Sequence, residues 1–192
     1  MLRVLLVNDT NKQVGSLRTA LVQAGCDVVE EVSSALMIPK RVAELKADIV
    51  IIDTESPSRD VLEQICVMTQ DAPRPIVMVS EDTQPAAIKA AIKAGVSAYV
   101  VEDIDAGRLS AVLEVAQARF EQDQALMSQI RQAESKLNER KIVERAKGLL
   151  MQLRSMTESE AYHAMRKMAM DRNIRIIDGQ TILPQNAMWQ SD

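Results

Sequence analysis

Short runs of β-branched and other apolar residues alternate with helix-like patterns along the first 120 residues. Between these runs, apolar residues recur at spacings of three and four, which is the repeat of an α-helix with one buried face. Five such units predict an α/β fold: a doubly wound, five-stranded parallel sheet with helices on both faces. The predicted strands are residues 3–7, 27–32, 48–52, 75–79 and 97–101.

One long helix is predicted from about residue 108, because neither proline nor glycine interrupts the pattern before Gly148. Part of it carries apolar residues at steps of four, three and four, the spacing of a coiled-coil seam about two heptads long. The surrounding sequence is highly polar, so a single solvated helix is the alternative. A dimeric coiled coil is favoured because it would bury this stripe. The seam consists of Leu126, Ile130, Ala133 and Leu137.

After Leu137 the apolar stripe moves to another face of the helix, which predicts packing within a small three-helix bundle. Thr157 and Glu160 form a capping-box pattern for a second helix, and a third apolar set begins at Ile174. Gly148 lies on the polar side of the first helix, where glycine costs about 1 kcal/mol relative to alanine. The new apolar stripe consists of Ile142, Val143, Ala146, Leu149, Leu150 and Leu153.

Polar residues stand at the ends of four of the predicted strands. Asn8 and Asp9 follow the first strand, Asp53 the third, Ser80 the fourth and Glu102 the fifth. The carboxyl ends of parallel strands meet at one edge of the sheet, where doubly wound proteins place their chemistry. This constellation resembles the receiver domain of bacterial response regulators.

The receiver resemblance implies a role for each of these positions. Asp53 matches the aspartate that accepts a phosphoryl group, Asp9 matches an acid that holds magnesium, and Ser80 matches the hydroxyl residue that grips the phosphoryl oxygens. Tyr99 matches the aromatic residue that reports activation in the family. In a simpler interpretation, Asp9 and Asp53 are polar residues that cap the ends of strands.

Two departures from the receiver pattern argue against phosphorylation. Asn8 stands where the first of two magnesium-binding acids is usual, and a hard cation prefers charged oxygen ligands. Glu102 and Asp103 stand where the family has lysine and proline, so Glu102 would add negative charge near Asp53. We expect a receiver fold that is used for protein contacts, without a cofactor and with magnesium disfavoured. A phosphorylated switch is the alternative.

The C-terminal sequence "RKIVERAKGLLMQLRSMTESEAYHAMRKMAMDRNIRIID" resembles the ANTAR domain, a small helical module of bacterial antitermination regulators. Together with the degenerate receiver and the coiled coil, it makes the chain similar to nitrate-assimilation antiterminators of the NasT type. The resemblance implies that a dimer binds paired stem-loops in a nascent leader mRNA, which prevents a terminator hairpin from forming. It also implies direct control by a nitrate- or nitrite-sensing protein.

Basic residues are concentrated in this C-terminal region. Residues 138–178 contain nine Lys/Arg and six Asp/Glu, a net charge of +3, whereas the whole chain carries −4 and the remainder therefore −7. Such a face suits the phosphates of RNA, and a glycine within it would let another backbone approach. That backbone is either RNA or the partner helix of a dimer. The candidate RNA-binding residues are Arg140, Lys141, Arg145, Lys147 and Gly148.

Four segments are predicted. They are a receiver-like domain at 1–120, a coiled-coil linker at 121–138, an ANTAR domain at 139–183 and an atypical tail at 184–192. Gly179 and Pro184 depart from the ANTAR pattern, and Pro184 should end the third helix early.

The general character of the chain limits the function classes. Its composition, 47% hydrophobic and 26% charged, is ordinary for a globular protein. A run of 18 apolar residues is absent, which predicts a cytoplasmic protein without a membrane segment. The antitermination reading requires no catalytic step, so we expect a regulator rather than an enzyme. The alternatives are a phosphorylated, DNA-binding response regulator that uses residues 157–172 as its recognition helix, and a protein-binding adaptor.

Overall fold

The computed structural model describes residues 1–10, 15–101, 104–173 and 175–176. Glu102, Gly179 and Pro184 lie outside these ranges, so the predictions made for them stay predictions. Two compact units divide the chain, Met1–Gln124 and Ala125–Asp192. Within the described ranges, no helix combines the length and apolar character needed to span a bilayer.

The first unit contains a five-stranded sheet in which every adjacent pair of strands is parallel. The strand order is β2-β1-β3-β4-β5, and this confirms the predicted doubly wound architecture. The edge pairing of β1 with β2 contains one register shift, between Val4 and Leu5. The strands are β1 (Arg3–Asp9), β2 (Asp27–Val32), β3 (Ile49–Thr54), β4 (Ile76–Ser80) and β5 (Ala98–Val101).

Helices cover both faces of this sheet because alternate residues of each buried strand point to opposite sides. In β3, Val50 and Ile52 join a core beneath α2, α3 and α4, whereas Ile49 and Ile51 join a core beneath α1 and the start of α5. A 3₁₀ turn at Ala35–Met37 precedes α2. The helices are α1 (Gly15–Gln23), α2 (Ile38–Leu45), α3 (Arg59–Asp71), α4 (Pro85–Ala94), α5 (Ala106–Arg154) and α6 (Glu158–Asp171).

The predicted long helix is confirmed as α5, which runs for 49 residues. It is followed at Ser155 by a left-handed residue, with φ of 49°, and the chain then enters α6. The predicted capping box is present at the start of α6: Thr157 donates its N–H to Glu160 at 2.8 Å, and its hydroxyl accepts from Glu160 N–H at 3.4 Å.

The second unit has a small core that forms between α5 and α6. Ile176 also packs against this core, whereas most of the predicted third helix lies outside the described residues. Leu149 and Leu153, which the sequence pattern placed on the bundle face, are 40% and 62% exposed. They lie on the flank of the stripe, because the line that meets α6 runs through Val143, Ala146 and Leu150 at spacings of three and four. The buried members of the core are Ala146, Leu150, Ala161 and Met165.

Candidate functional site

The sheet brings the polar residues predicted at its strand ends to one edge. Asn8 of β1 is in register with Asp53 of β3, and Thr54 of β3 is in register with Ser80 of β4. Asp9 follows Asn8 at the end of β1, and partial burial raises the pKa of its carboxyl group above the usual value. The carboxyl edge therefore collects two acids, an amide and a hydroxyl, as the sequence indicated.

The amide of Asn8 is engaged with the chain that leaves β1. Its Oδ1 accepts hydrogen bonds from the N–H of Thr10 at 3.1 Å and from the Thr10 hydroxyl at 2.8 Å. An amide held in this way shapes the turn after the strand. Asn8 thus has a structural function that the sequence did not suggest.

Two carboxylates at this edge, those of Asp9 and Asp53, are of the kind that binds magnesium. Magnesium prefers oxygen ligands in a strict octahedral arrangement, usually with at least one or two carboxylates. Asp9 and Asp53 are the acids at hand, but the Asn8 oxygen already accepts two hydrogen bonds from Thr10. In the part of the chain that the structure describes, no three His, Cys, Asp or Glu side chains converge as a metal site.

Hydrogen bonds connect the loop after β3 to the loop after β4. The Ser80 hydroxyl donates to the carbonyl oxygen of Glu55 at 3.0 Å and accepts from the N–H of Asp82 at 3.2 Å. The Ser56 hydroxyl donates to Asp82 Oδ2 at 2.6 Å. The Tyr99 hydroxyl donates to the backbone carbonyl of Asp82 at 2.9 Å. We call Glu55, Ser56, Ser80, Asp82 and Tyr99 the loop network.

Asp82 lies at the centre of the loop network and was missed by the sequence analysis. The hydrogen bond from Ser56 lowers the pKa of its carboxyl group, and the N–H of Gln84 adds to this effect. The signal in the sequence was present: an aspartate shortly before Pro85, at the start of a helix, is typical of a turn whose carboxylate accepts a backbone N–H. Ser56 gave no such signal.

The second unit carries the predicted basic face on α5. Arg140, Lys141 and Arg145 are exposed there. Gly148 follows Lys141 and Arg145 at helical spacing. A Cβ built on Gly148 meets no heavy atom within 4 Å, so the packing of this chain does not require glycine at that position.

Lys147 differs from the other predicted RNA-binding residues. Its side chain is only 12% exposed and its ammonium group lies 2.8 Å from Glu144 Oε2 and 2.7 Å from Glu158 Oε1. The hydrogen bonds that the Lys147 ammonium donates to these two carboxylates, first to Glu144 and then to Glu158, raise the pKa of Lys147. Lys147 therefore joins α5 to the first turn of α6, instead of standing free beside Arg140 and Lys141.

The sheet order and the polar edge define a receiver-type regulator, and comparison with known families agrees. Residues 4–114 match the response regulator receiver domain, and residues 131–178 match the ANTAR domain. The chain belongs to the response regulators that combine a receiver domain with an ANTAR domain. Both resemblances derived from the sequence are confirmed.

Individual relatives of the chain are also regulatory proteins. The chain is 31% identical over 170 residues to the transcriptional regulatory protein PdtaR of Mycobacterium tuberculosis, covering 88% of this chain and 83% of that protein. It is 40% identical over 68 residues to the nitrate regulatory protein of Klebsiella oxytoca, covering 35% of this chain and 17% of that protein.

A solved structure supports the fold of the first unit. The signal receiver domain of a modulated diguanylate cyclase from Desulfovibrio desulfuricans G20 superimposes with a TM-score of 0.55 at 20% identity. The match covers 63% of this chain and 97% of that domain. At this level of identity the similarity concerns the fold alone.

Proposed function

We propose that this protein is a transcription antiterminator that binds paired stem-loops in a nascent leader mRNA through its ANTAR domain. The observation that carries the proposal is the exposed basic face of α5 within the segment that matches the ANTAR family. Arg140, Lys141 and Arg145 form it. Guanidinium and ammonium groups bind phosphates of any sequence, and a structured RNA presents them at fixed positions.

Gly148 supports the proposal because the space beside it is open. A helix without a side chain at one position lets an RNA backbone or an unstacked base lie against its surface. Lys147 has a supporting function here: its ion pairs with Glu144 and Glu158 hold the start of α6 against α5. The phosphate contacts are then made by Arg140, Lys141 and Arg145.

The protein acts as a dimer in this proposal. The predicted seam residues Leu126, Ile130 and Leu137 are 51%, 50% and 60% exposed on α5. A second copy of the helix would remove these side chains from water. Two basic faces would then be available for the two stem-loops of one leader.

Control by protein contact is the second part of the proposal. The Ser80 hydroxyl donates to the carbonyl of Glu55, so phosphoryl binding would have to break this bond. Asn8 and Glu102 also occupy positions where the family uses an acid and a lysine. A nitrate- or nitrite-sensing protein is the proposed controlling partner, since one relative is the nitrate regulatory protein of Klebsiella oxytoca. The complex would form in the cytoplasm, where transcripts are made, without a bound cofactor.

A binding comparison tests the RNA proposal directly. The full-length protein is titrated with a leader RNA that contains two stem-loops, with the same RNA lacking one stem-loop, and with duplex DNA of equal charge, all at physiological salt. We expect the paired stem-loop RNA to bind most tightly. Equal affinity for RNA and DNA would reduce the interaction to nonspecific phosphate binding. Preference for DNA would favour the DNA-binding alternative, and an absence of binding to any of the three would favour the adaptor.

A further inference from the structure

An apolar groove of about 550 Å³ lies between α3 and α4 of the first unit. On one side α3 contributes branched and sulfur-containing side chains. On the other side α4 contributes alanines, which are too short to fill the space. We call it the α3–α4 groove. It is lined by Arg59, Leu62, Glu63, Cys66, Val67, Ala90, Lys93 and Ala94.

The residues that line the groove precede, along both helices, a point of close approach between α3 and α4. A Cβ on Gly95, just after α4, would lie 2.7 Å from the Thr69 hydroxyl oxygen of α3. The lining of α3 extends from Arg59 to Val67, about 12 Å at the rise of an α-helix. That length accommodates about two turns of another helix.

Part of the apolar lining of the groove is exposed in this chain, whereas Ala94 is buried. Val67 is 43% exposed, although valine usually lies inside a protein. Cys66 is also exposed, and its thiol donates a hydrogen bond across the groove to the carbonyl of Ala94 at 3.7 Å. A partner that covered the groove would remove this apolar surface from water.

The charges at the rim favour an acidic partner. Arg59 and Glu63 form an ion pair with each other at 2.7 Å, so their charges cancel. Lys89 and Lys93 stand one turn apart on the exposed side of α4. No ion pair joins either lysine to a carboxylate within the described residues. The α4 side therefore presents one lysine in the groove lining, Lys93, and a second exposed lysine, Lys89, one turn earlier on the helix.

We propose that the α3–α4 groove binds an amphipathic helix from another protein. Its apolar face would lie on Leu62, Val67 and Ala90, and acidic residues along one edge would pair with Lys93 and, one turn away, with Lys89. Binding of a helix in a groove uses such apolar anchors at helical spacing. A small molecule fits less well, because ligand pockets provide polar groups that fix orientation, whereas the Arg59 and Glu63 groups already bind each other.

This surface goes beyond RNA binding and does not depend on it. The probe is a fluorescein-labelled synthetic helical peptide with leucines on one face and glutamates along one edge. The control peptide has lysine in place of each glutamate. Fluorescence anisotropy with the full-length protein should show tighter binding of the acidic peptide, with an affinity that falls as salt rises.

Alkylation of Cys66 shows whether the peptide binds in the α3–α4 groove. Cys66 is exposed whereas Cys26 is buried, so iodoacetamide should modify Cys66 first. Saturating acidic peptide should slow that reaction about tenfold. An unchanged rate would place the peptide elsewhere and overturn the proposal. Protection that rises with protein concentration in the absence of peptide would identify a second copy of this chain as the occupant, which also overturns it.

Two variants complete the test. Lys93→Glu and Val67→Asp should each weaken the acidic peptide about tenfold, whereas Lys136→Glu, an exposed lysine on α5, should not. Leader-RNA binding should be unchanged in both groove variants. Peptide binding that survives both groove variants would contradict the proposal. Loss of RNA binding in a groove variant would contradict the independence of the two surfaces.

Discussion

The ammonium group of Lys147 and the carboxylate of Glu158 lie 2.7 Å apart and connect α5 to the first turn of α6. Glu158 is also well placed for the N-terminus of its own helix, where a negative charge interacts favourably with the unpaired N–H groups. Glu144 supplies a second carboxylate to the same lysine at 2.8 Å. The contact therefore links the helix that carries the basic face to the helix that supports it.

Substitution of Lys147 should affect folding of the second unit more than RNA contact. Lys147→Gln removes both ion pairs, so we expect an earlier loss of helical circular dichroism on heating or in urea. Lys141→Gln is the matched control, because Lys141 is exposed. It should weaken leader-RNA binding and reduce the slope of log affinity against log salt by about 1, with an unchanged melting curve. Normal stability in Lys147→Gln would show that the ion pairs contribute nothing measurable.

Acid should loosen the start of α6. The pKa values of Glu158 and Glu160 are both lowered, the first by its hydrogen bond with Lys147 and the second by the backbone N–H of Thr157. A carboxylate whose pKa is lowered by folding stabilises the folded chain when the pH is above the pKa of the unfolded state. This contribution is lost as the pH falls through the pKa of the folded state.

The expected window therefore lies below the ordinary glutamate pKa of 4.5. The helical circular dichroism signal of the wild-type chain should decrease in this pH window. The double variant Glu158→Gln, Glu160→Gln should start from lower stability and respond less to acid. An equal response of the variant and the wild type would assign the acid effect to other carboxylates.

The loop network should control exchange of specific amide protons. Ser56→Ala removes the hydrogen bond to Asp82 Oδ2, so the pKa of Asp82 should rise toward its ordinary value. The N–H of Gln84, which donates to Asp82 Oδ1, should exchange faster. NMR titration of Asp82 and amide exchange measure the two effects. Ser110→Ala, whose hydroxyl bonds only within α5, is the control and should change neither.

The sequence predicted well what depends on local pattern and poorly what depends on contacts between distant residues. The strand ends could be located because Asn8 and Asp53 each follow a continuous run of apolar residues, and parallel pairing then brings them into register. The loop network could not be foreseen, because Ser56 meets Asp82 across two loops that lie 26 residues apart. The contact between Lys147 and Glu158 could not be foreseen either, because the left-handed residue Ser155 lies in the turn between their two helices.

Removal of the phosphoacceptor position should leave RNA binding nearly intact. In Asp53→Asn the carboxylate is replaced by an amide of similar size, so the sheet edge keeps its shape. Leader-RNA affinity and antitermination in a transcription assay should stay within about twofold of the wild type, a difference below 0.5 kcal/mol. Acetyl phosphate should produce no change in either chain. A complete loss of antitermination in the variant would restore phosphorylation as the control step.

Substitution of Gly148 can show whether RNA or the partner helix of a dimer approaches α5 at this position. No heavy atom lies within 4 Å of a Cβ at this position, so Gly148→Ala should fit and raise helix stability by about 1 kcal/mol. Gly148→Leu should also fold, because leucine favours helix and the space is open. A leucine, however, would keep an RNA backbone several ångströms from the helix surface, and we expect leader binding to fall sharply.

Dimer mass and RNA affinity must be measured on the same Gly148 samples. If Gly148→Leu remains a dimer by light scattering but loses RNA binding, while Gly148→Ala keeps much of it, the glycine serves RNA. If both variants dissociate into monomers, the open space belongs to the partner helix, and RNA affinity falls because paired stem-loops need two faces. The alanine variant is the sensitive member of the pair, since one methyl group disturbs a close helix crossing more than a phosphate contact that can shift.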